Sequence, residues 1–214
     1  MPRRERRIQQ LAERKRRKRD GGSADGESYA WMAGLLAGRL GRGGRVLEVA
    51  AERRSTSALA ANGWKVVPVE AGAALAPGSF AGEPVDAVTC WLLDLRAGKP
   101  DVIEKLRAMG LRTPDEHRLA VQTLVYRLAD RVLRPGGVLQ VVDRTLEPFG
   151  EALATGMMRL QRAQAKGTTL EFAAIDARPE ADGALVSVRS RKAVGTPVVT
   201  IQGADGIRRN EPGQ

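Results

Sequence analysis

Aromatic residues are scarce in this chain of 214 residues: three tryptophans, two tyrosines and three phenylalanines make up 4% of it. A core must therefore be built from aliphatic side chains, and a 43% apolar share supplies enough of them for one ordinary domain with tails. Cysteine and histidine occur once each, as Cys90 and His117. A single thiol excludes an internal disulfide framework, and no zinc-ligand set can be assembled from these residues. No stretch approaches the ~18 consecutive apolar residues of a membrane-spanning helix. The basic N-terminus is not followed by the apolar core of a secretory signal. These absences are compatible with a reducing compartment. They read as a soluble protein, cytoplasmic or, in a eukaryote, nuclear.

Positive charge, by contrast, is abundant, and it is concentrated. The stretch "MPRRERRIQQLAERKRRKRD" carries ten Lys/Arg against three acids, so it holds +7 of the chain's +10 and leaves +3 for everything after it. Arg3, Arg4, Arg6 and Arg7 form one run; Arg14, Lys15, Arg16, Arg17, Lys18 and Arg19 form a second. Such an arm neutralises phosphates and releases counterions, with little preference for sequence. RNA is the first partner to consider, because a flexible arm can fold into an irregular groove. A solubilising tail, contact with an acidic membrane surface, and nuclear import through "RKRRKR" are the alternatives. The expected organisation is an arm and linker over 1–26, a domain over 27–193 and a tail over 194–214.

Within the domain, strands alternate with helices. Met32, Leu35, Leu36 and Leu40 fall on one face of a first helix. "RVLEVA" and "WKVVPV" read as strands on either side of a short helix, with Ser55 or Thr56 as its cap and Gly63 as its stop. "VDAVTCWLL" is a third apolar strand, followed by a short helix in "KPDVIEKLRAMG". A long helix then opens on Thr113 and Pro114 and buries Val121, Leu124, Val125, Leu128 and Val132. "RPGG" turns into the strand "VLQVVD", and a helix over roughly 148–166 precedes the hairpin of "LEFAAID" and "ALVSVRS". This order predicts an α/β fold: a mostly parallel sheet with helices on both faces and a C-terminal antiparallel hairpin.

"RVLEVA", "WKVVPVE", "VDAVTCWLL", "LADRVLRPGGVLQVVDR" and the closing hairpin, in this order and spacing, resemble the class I S-adenosylmethionine-dependent methyltransferases, whose fold is Rossmann-like. The resemblance implies S-adenosylmethionine as cofactor. It also implies that Glu48, ending the first strand, and the turn at Ala50 and Ala51 hold its methionine part, and that Glu70 accepts the ribose hydroxyls. Cys90 and Trp91 would line the cofactor wall, with Trp91 placed to stack on adenine or to pack under the next helix. Asp94 would be a candidate proton acceptor or a turn cap.

The sequence departs from the family pattern in two places. Ala50, Ala51, Glu52, Arg53 and Arg54 stand where glycines belong. Only 15 residues separate Glu70 from Asp86, so the family's third strand is expected to be missing. Arg53 and Arg54, ahead of a helix N-terminus, would suit a phosphate of a nucleic acid or simply sit in solvent. Cys90 follows Thr89 rather than proline, unlike thiolate methyltransferases, and reads as inert core. His117, in the first turn of the long helix, is expected to be exposed. No Asn/Asp-Pro-Pro-Tyr type motif supports methylation of a base amino group.

Two readings of function remain. One is an atypical methyltransferase acting on RNA or an RNA-associated protein. The other is a non-catalytic methyltransferase-like protein that binds RNA or a partner and has lost its cofactor. The first needs an open pocket beside Glu70, and the second predicts that side chains of the turn fill it. A partner subunit that completes the site stays open.

Overall fold

A computed structural model describes residues 26–70, 83–92, 104, 107–181 and 183–194. Helix α1 covers 26–40 and leads into β1 (Gly44–Val49), α2 (Arg53–Ala61) and β2 (Trp64–Val69). Strand β3 (Val85–Trp91) precedes the long helix α3 (Pro114–Val132), which runs directly into β4 (Leu133–Thr145). Helix α4 (Glu151–Gln164) and the hairpin β5 (Leu170–Glu180) and β6 (Gly183–Lys192) follow. None of the helices, among the described residues, is long and apolar enough to cross a membrane.

The six strands form one sheet in the order β2-β1-β3-β4-β6-β5. Strands β2, β1, β3 and β4 are parallel, while β6 pairs antiparallel with both β4 and β5. The expected α/β architecture is thus present, closing hairpin included. Side-chain alternation along each strand feeds two cores. On one face Val46, Ala87, Val138 and Val142 pack against Met32 and Leu36 of α1 and Leu59 of α2. On the other, Leu47, Val49, Val88 and Leu139 meet Val121, Val125 and Leu128 of α3. Farther along this face, Leu153 and Met157 of α4 cover Ala184, Val186 and Val188.

Helix α3 starts where its sequence says. Thr113 Oγ1 accepts the Glu116 N–H at 3.2 Å, and Glu116 Oε2 accepts the Thr113 N–H at 2.8 Å, which is a reciprocal capping box. The Thr113 and Arg112 N–H groups, both donating to the Glu116 carboxylate, hold it below its ordinary range.

Four expectations need correction. Helix α2 begins two residues before Ser55, capped at Glu52, whose N–H donates to Ser55 Oγ at 3.0 Å. His117 is buried, with Nε2 donating to the Leu111 carbonyl at 2.9 Å. A loop carbonyl that needs a partner draws the ring inward. Strand β4 starts at Leu133, before "RPGG"; the register slips from Val85↔Leu133 to Ala87↔Val138, so the turn bulges within the strand. The hairpin strands reach into "ARPEADG", as Arg178↔Leu185 and Glu180↔Gly183 are paired.

Pro68, which lacks an N–H, lies in β2, an edge strand among the described residues. The expected loss of a third strand falls on 71–82, outside the described residues. So do most of the "KPDVIEKLRAMG" helix and the C-terminal tail.

Candidate functional site

In an open parallel sheet, ligands bind in the crevice beyond the C-terminal strand ends, where the strand order reverses. Here the reversal lies between β1 and β3, with β2 on the outer side of β1. Val49 pairs with Cys90, so the chain leaves β1 through Ala50 and β3 through Trp91 and Leu92 at the same edge.

Both exits are strained. Ala50 has φ +58° and Leu92 φ +50°, the positive-φ non-glycine residues among those described. Each forces a Cβ into a conformation suited to glycine, at roughly 1–2 kcal/mol. Hydrogen bonds from the neighbouring strands hold them there: Ala50 N–H donates to the Val69 carbonyl at 2.8 Å and Leu92 N–H to the Val142 carbonyl at 2.9 Å. The first turn therefore holds an alanine in a conformation suited to glycine.

Around this turn lie two carboxylates with different surroundings. Glu48 is 1% exposed, and its Oε2 accepts the Thr56 hydroxyl of α2 at 2.8 Å. Burial pushes its carboxyl above the ordinary value; the hydroxyls of Ser55 and Thr56 pull it back, and the Glu52 charge adds to the rise. Glu52 is exposed and accepts the Tyr29 hydroxyl of α1 at 3.0 Å. Tyr29 in turn lies over Trp91, ring centroids 6.4 Å apart.

The Glu48 carboxyl gives a test. A proton is bound more readily in the folded state, so its contribution is full below the ordinary glutamate value and fades as pH rises through the raised one. Glu48→Gln keeps an acceptor for Thr56 and removes the charge. At neutral pH its Tm should exceed the wild-type value by about 2–4 °C. Thermal melts from pH 4 to 8 check this, and the gain should vanish at the acid end.

Of the other residues singled out in the sequence, Glu70 lies exposed at the end of β2. Trp91 is buried, and its indole Nε1–H donates to Gln140 Oε1 at 3.2 Å. Cys90 points to the opposite face, into the core with Val49, Val125 and Val141, and burial pushes its thiol far up. Arg53 and Arg54 are exposed in the first turn of α2. Asp94 and the arm arginines and lysines lie outside the described residues. No cluster that could hold a metal ion is found among the described residues. Tyr29 and Gln140 carried no local signal. Their partners are 23 and 49 positions away, and only the fold brings them together.

No family model matches the sequence, and no curated protein does. Solved structures do match. The 1,6-didemethyltoxoflavin-N1-methyltransferase of Burkholderia thailandensis, with 1,6-didemethyltoxoflavin and S-adenosylhomocysteine bound, superposes with a TM-score of 0.50 at 17% identity, over 90% of this chain and 91% of that one. This chain has the fold of the class I S-adenosylmethionine-dependent methyltransferases. A SAM-dependent methyltransferase from Methanosarcina mazei scores 0.46 at 11% identity, over 75% of this chain and 98% of that one. The T. thermophilus 16S rRNA N2 G1207 methyltransferase, in complex with AdoMet and guanosine, scores 0.43 at 19% identity, over 76% of this chain and 42% of that one.

The acceptor groups around the strained turn fit an S-adenosyl group. Its amine and ribose hydroxyls are donors, and exposed Glu52 and Glu70 are acceptors on either side of the strained turn.

Proposed function

We propose that this chain is an S-adenosylmethionine-dependent methyltransferase that engages RNA, or an RNA-associated protein, through its basic arm. The observation that carries the reading is Ala50 held at φ +58° at the tip of β1, beside a strand that ends in an exposed acid. A turn that merely linked strand to helix would have no need of the strain. Glu70 accepts the ribose hydroxyls, the 50–52 backbone approaches the methionine part, and Glu52 accepts the amine. Glu48 works from inside: by taking the Thr56 hydroxyl it fixes α2, and with it the turn, against the tip of β1. Tyr29 and Trp91 wall the crevice against water. When bound, the cofactor supplies a sulfonium-activated methyl group, so the protein's task is in-line placement of the acceptor.

The second reading, a platform without catalysis, is favoured by one contact. The Tyr29 hydroxyl already occupies Glu52, which draws α1 over the crevice.

Calorimetric titration with S-adenosylmethionine and S-adenosylhomocysteine separates the two. The methyltransferase reading expects saturable micromolar binding, weakened by Glu70→Ala about 10- to 100-fold, the loss of a charge-assisted hydrogen-bond pair. Absence of heat at millimolar ligand, from folded protein, leaves the platform reading.

A further inference from the structure

The basic arm is not the chain's only concentration of positive charge. Along α4 and the turn after it, from Ala152 to Leu170, there is no acidic residue, and the three cations are Arg159, Arg162 and Lys166. Their spacing of three and four places them in one row, with neighbouring Cβ atoms about 5–6 Å apart. All three are exposed, while Gln161, Gln164 and Ala165 between them are buried against the sheet and α3. On the adjoining helix, Arg127 and Arg131 are one turn apart and likewise exposed. The two helices are fastened together by Gln164 Nε2 donating to Gln122 Oε1 at 3.3 Å. The acid on this stretch of α3, Asp130, is taken by the Thr169 N–H and hydroxyl at 2.9 and 2.5 Å. Among the described residues none of the row's three cations is ion-paired with an acid.

We propose that the outer surface of the α3–α4 layer binds the phosphate backbone of RNA, as a second contact besides the arm. The choice of RNA rests on the arm's proposed partner. Four of the five cations are arginines, whose planar forks match phosphate oxygens in pairs. A lipid surface fits less well, because membrane-lying helices set apolar anchors beside their cations. The exposed Leu146 and Phe149 precede α4, beyond its opposite end. This surface lies on the face of the sheet away from α1 and α2.

The test uses the full-length chain and a single-stranded RNA of about 20 nucleotides, read by fluorescence anisotropy across a salt series. The Arg159→Gln/Arg162→Gln/Lys166→Gln variant keeps helix propensity and removes the row. Its affinity should fall at least tenfold near physiological salt, and the log–log salt slope should become shallower by about 2, at ~0.7 per lost phosphate contact. A charge-keeping variant, Arg159→Lys/Arg162→Lys/Lys166→Arg, should retain most of the slope. Circular dichroism confirms that each variant is folded. An unchanged slope in the first variant, with binding lost on Arg16→Gln/Arg17→Gln/Lys18→Gln/Arg19→Gln, overturns the second surface and leaves the arm's role standing. The reverse pattern supports the surface and removes the arm's. An equal loss of affinity for duplex DNA overturns the assignment to RNA.

Discussion

Gly183→Ala should destabilise the protein by about 4 kcal/mol, among the largest effects a single methyl can produce. Gly183 opens β6 at φ +139°, where L side chains are strained. Space is the greater obstacle. An added Cβ would lie 1.9 Å from the Thr145 carbonyl oxygen and 2.8 Å from its carbon. Those atoms are backbone at the end of β4, where Thr145 pairs with Ala184, so no rotamer change relieves the overlap. Strands β4 and β6 would have to part at the corner that joins the hairpin to the parallel sheet. For a chain of this size the expected fall in Tm is about 8–16 °C. Gly156→Ala is the matching control of opposite sign. Gly156 lies mid-helix in α4 with nothing within 4 Å of an added Cβ, so alanine should stabilise by about 0.5–1 kcal/mol. Paired thermal melts decide the matter, and a Gly183→Ala protein melting within 2 °C or so of wild type would show that the corner can yield.

The contrast between these glycines marks how far the sequence is legible. Gly63 and Gly167 announce themselves by following helical patterns, and each has φ +80° where a helix stops. Gly183 belongs to a polar stretch that reads as loop, and its importance comes from a strand 38 positions earlier. The same divide runs through the rest of the molecule. Apolar runs give the strands, and the Thr113–Glu116 pair gives the start of α3, because those signals are local. The burial of His117 depends on a carbonyl in the preceding loop, and the start of α2 depends on Ser55 serving Glu52 rather than capping the helix itself.

At the site, the two acids at the strand ends are visible in the sequence as residues, but their environments are not. Glu48 lies within β1, level with Pro68, and is enclosed under α2, whereas Glu70 follows the end of β2 and is exposed. Helix α2 accounts for the difference, since its Thr56 reaches back over β1. The turn between them is where reading by glycine pattern fails. Alanine stands in place of glycine, and the positive φ is retained through the hydrogen bond from Ala50 to Val69.

Gln140→Leu should cost about 3 kcal/mol and loosen the crevice as well. Gln140 is fully buried at the middle of β4, on the face under α1. Its Oε1 accepts the Trp91 indole at 3.2 Å, and its Nε2 donates to the Met32 carbonyl at 3.2 Å and the Ser187 hydroxyl at 3.1 Å. One side chain thus ties α1, β3 and β6 together. Leucine has a similar volume and leaves no large cavity, so the loss is chiefly polar: a buried indole N–H and a buried hydroxyl without partners, at roughly 1–3 kcal/mol each. Trp91→Phe removes the indole donor in advance. Gln140→Leu made in that background should therefore cost about 1 kcal/mol less than in the wild type, a coupling measurable by urea denaturation of the four proteins in a cycle. Additive costs would mean that the Trp91–Gln140 bond contributes nothing. The functional consequence follows from position. Trp91 immediately precedes strained Leu92 and lies under Tyr29, which holds Glu52 at the mouth of the turn. Freed of Gln140, the Trp91 ring no longer fixes that wall, and affinity for S-adenosylhomocysteine should drop several-fold even where the fold survives.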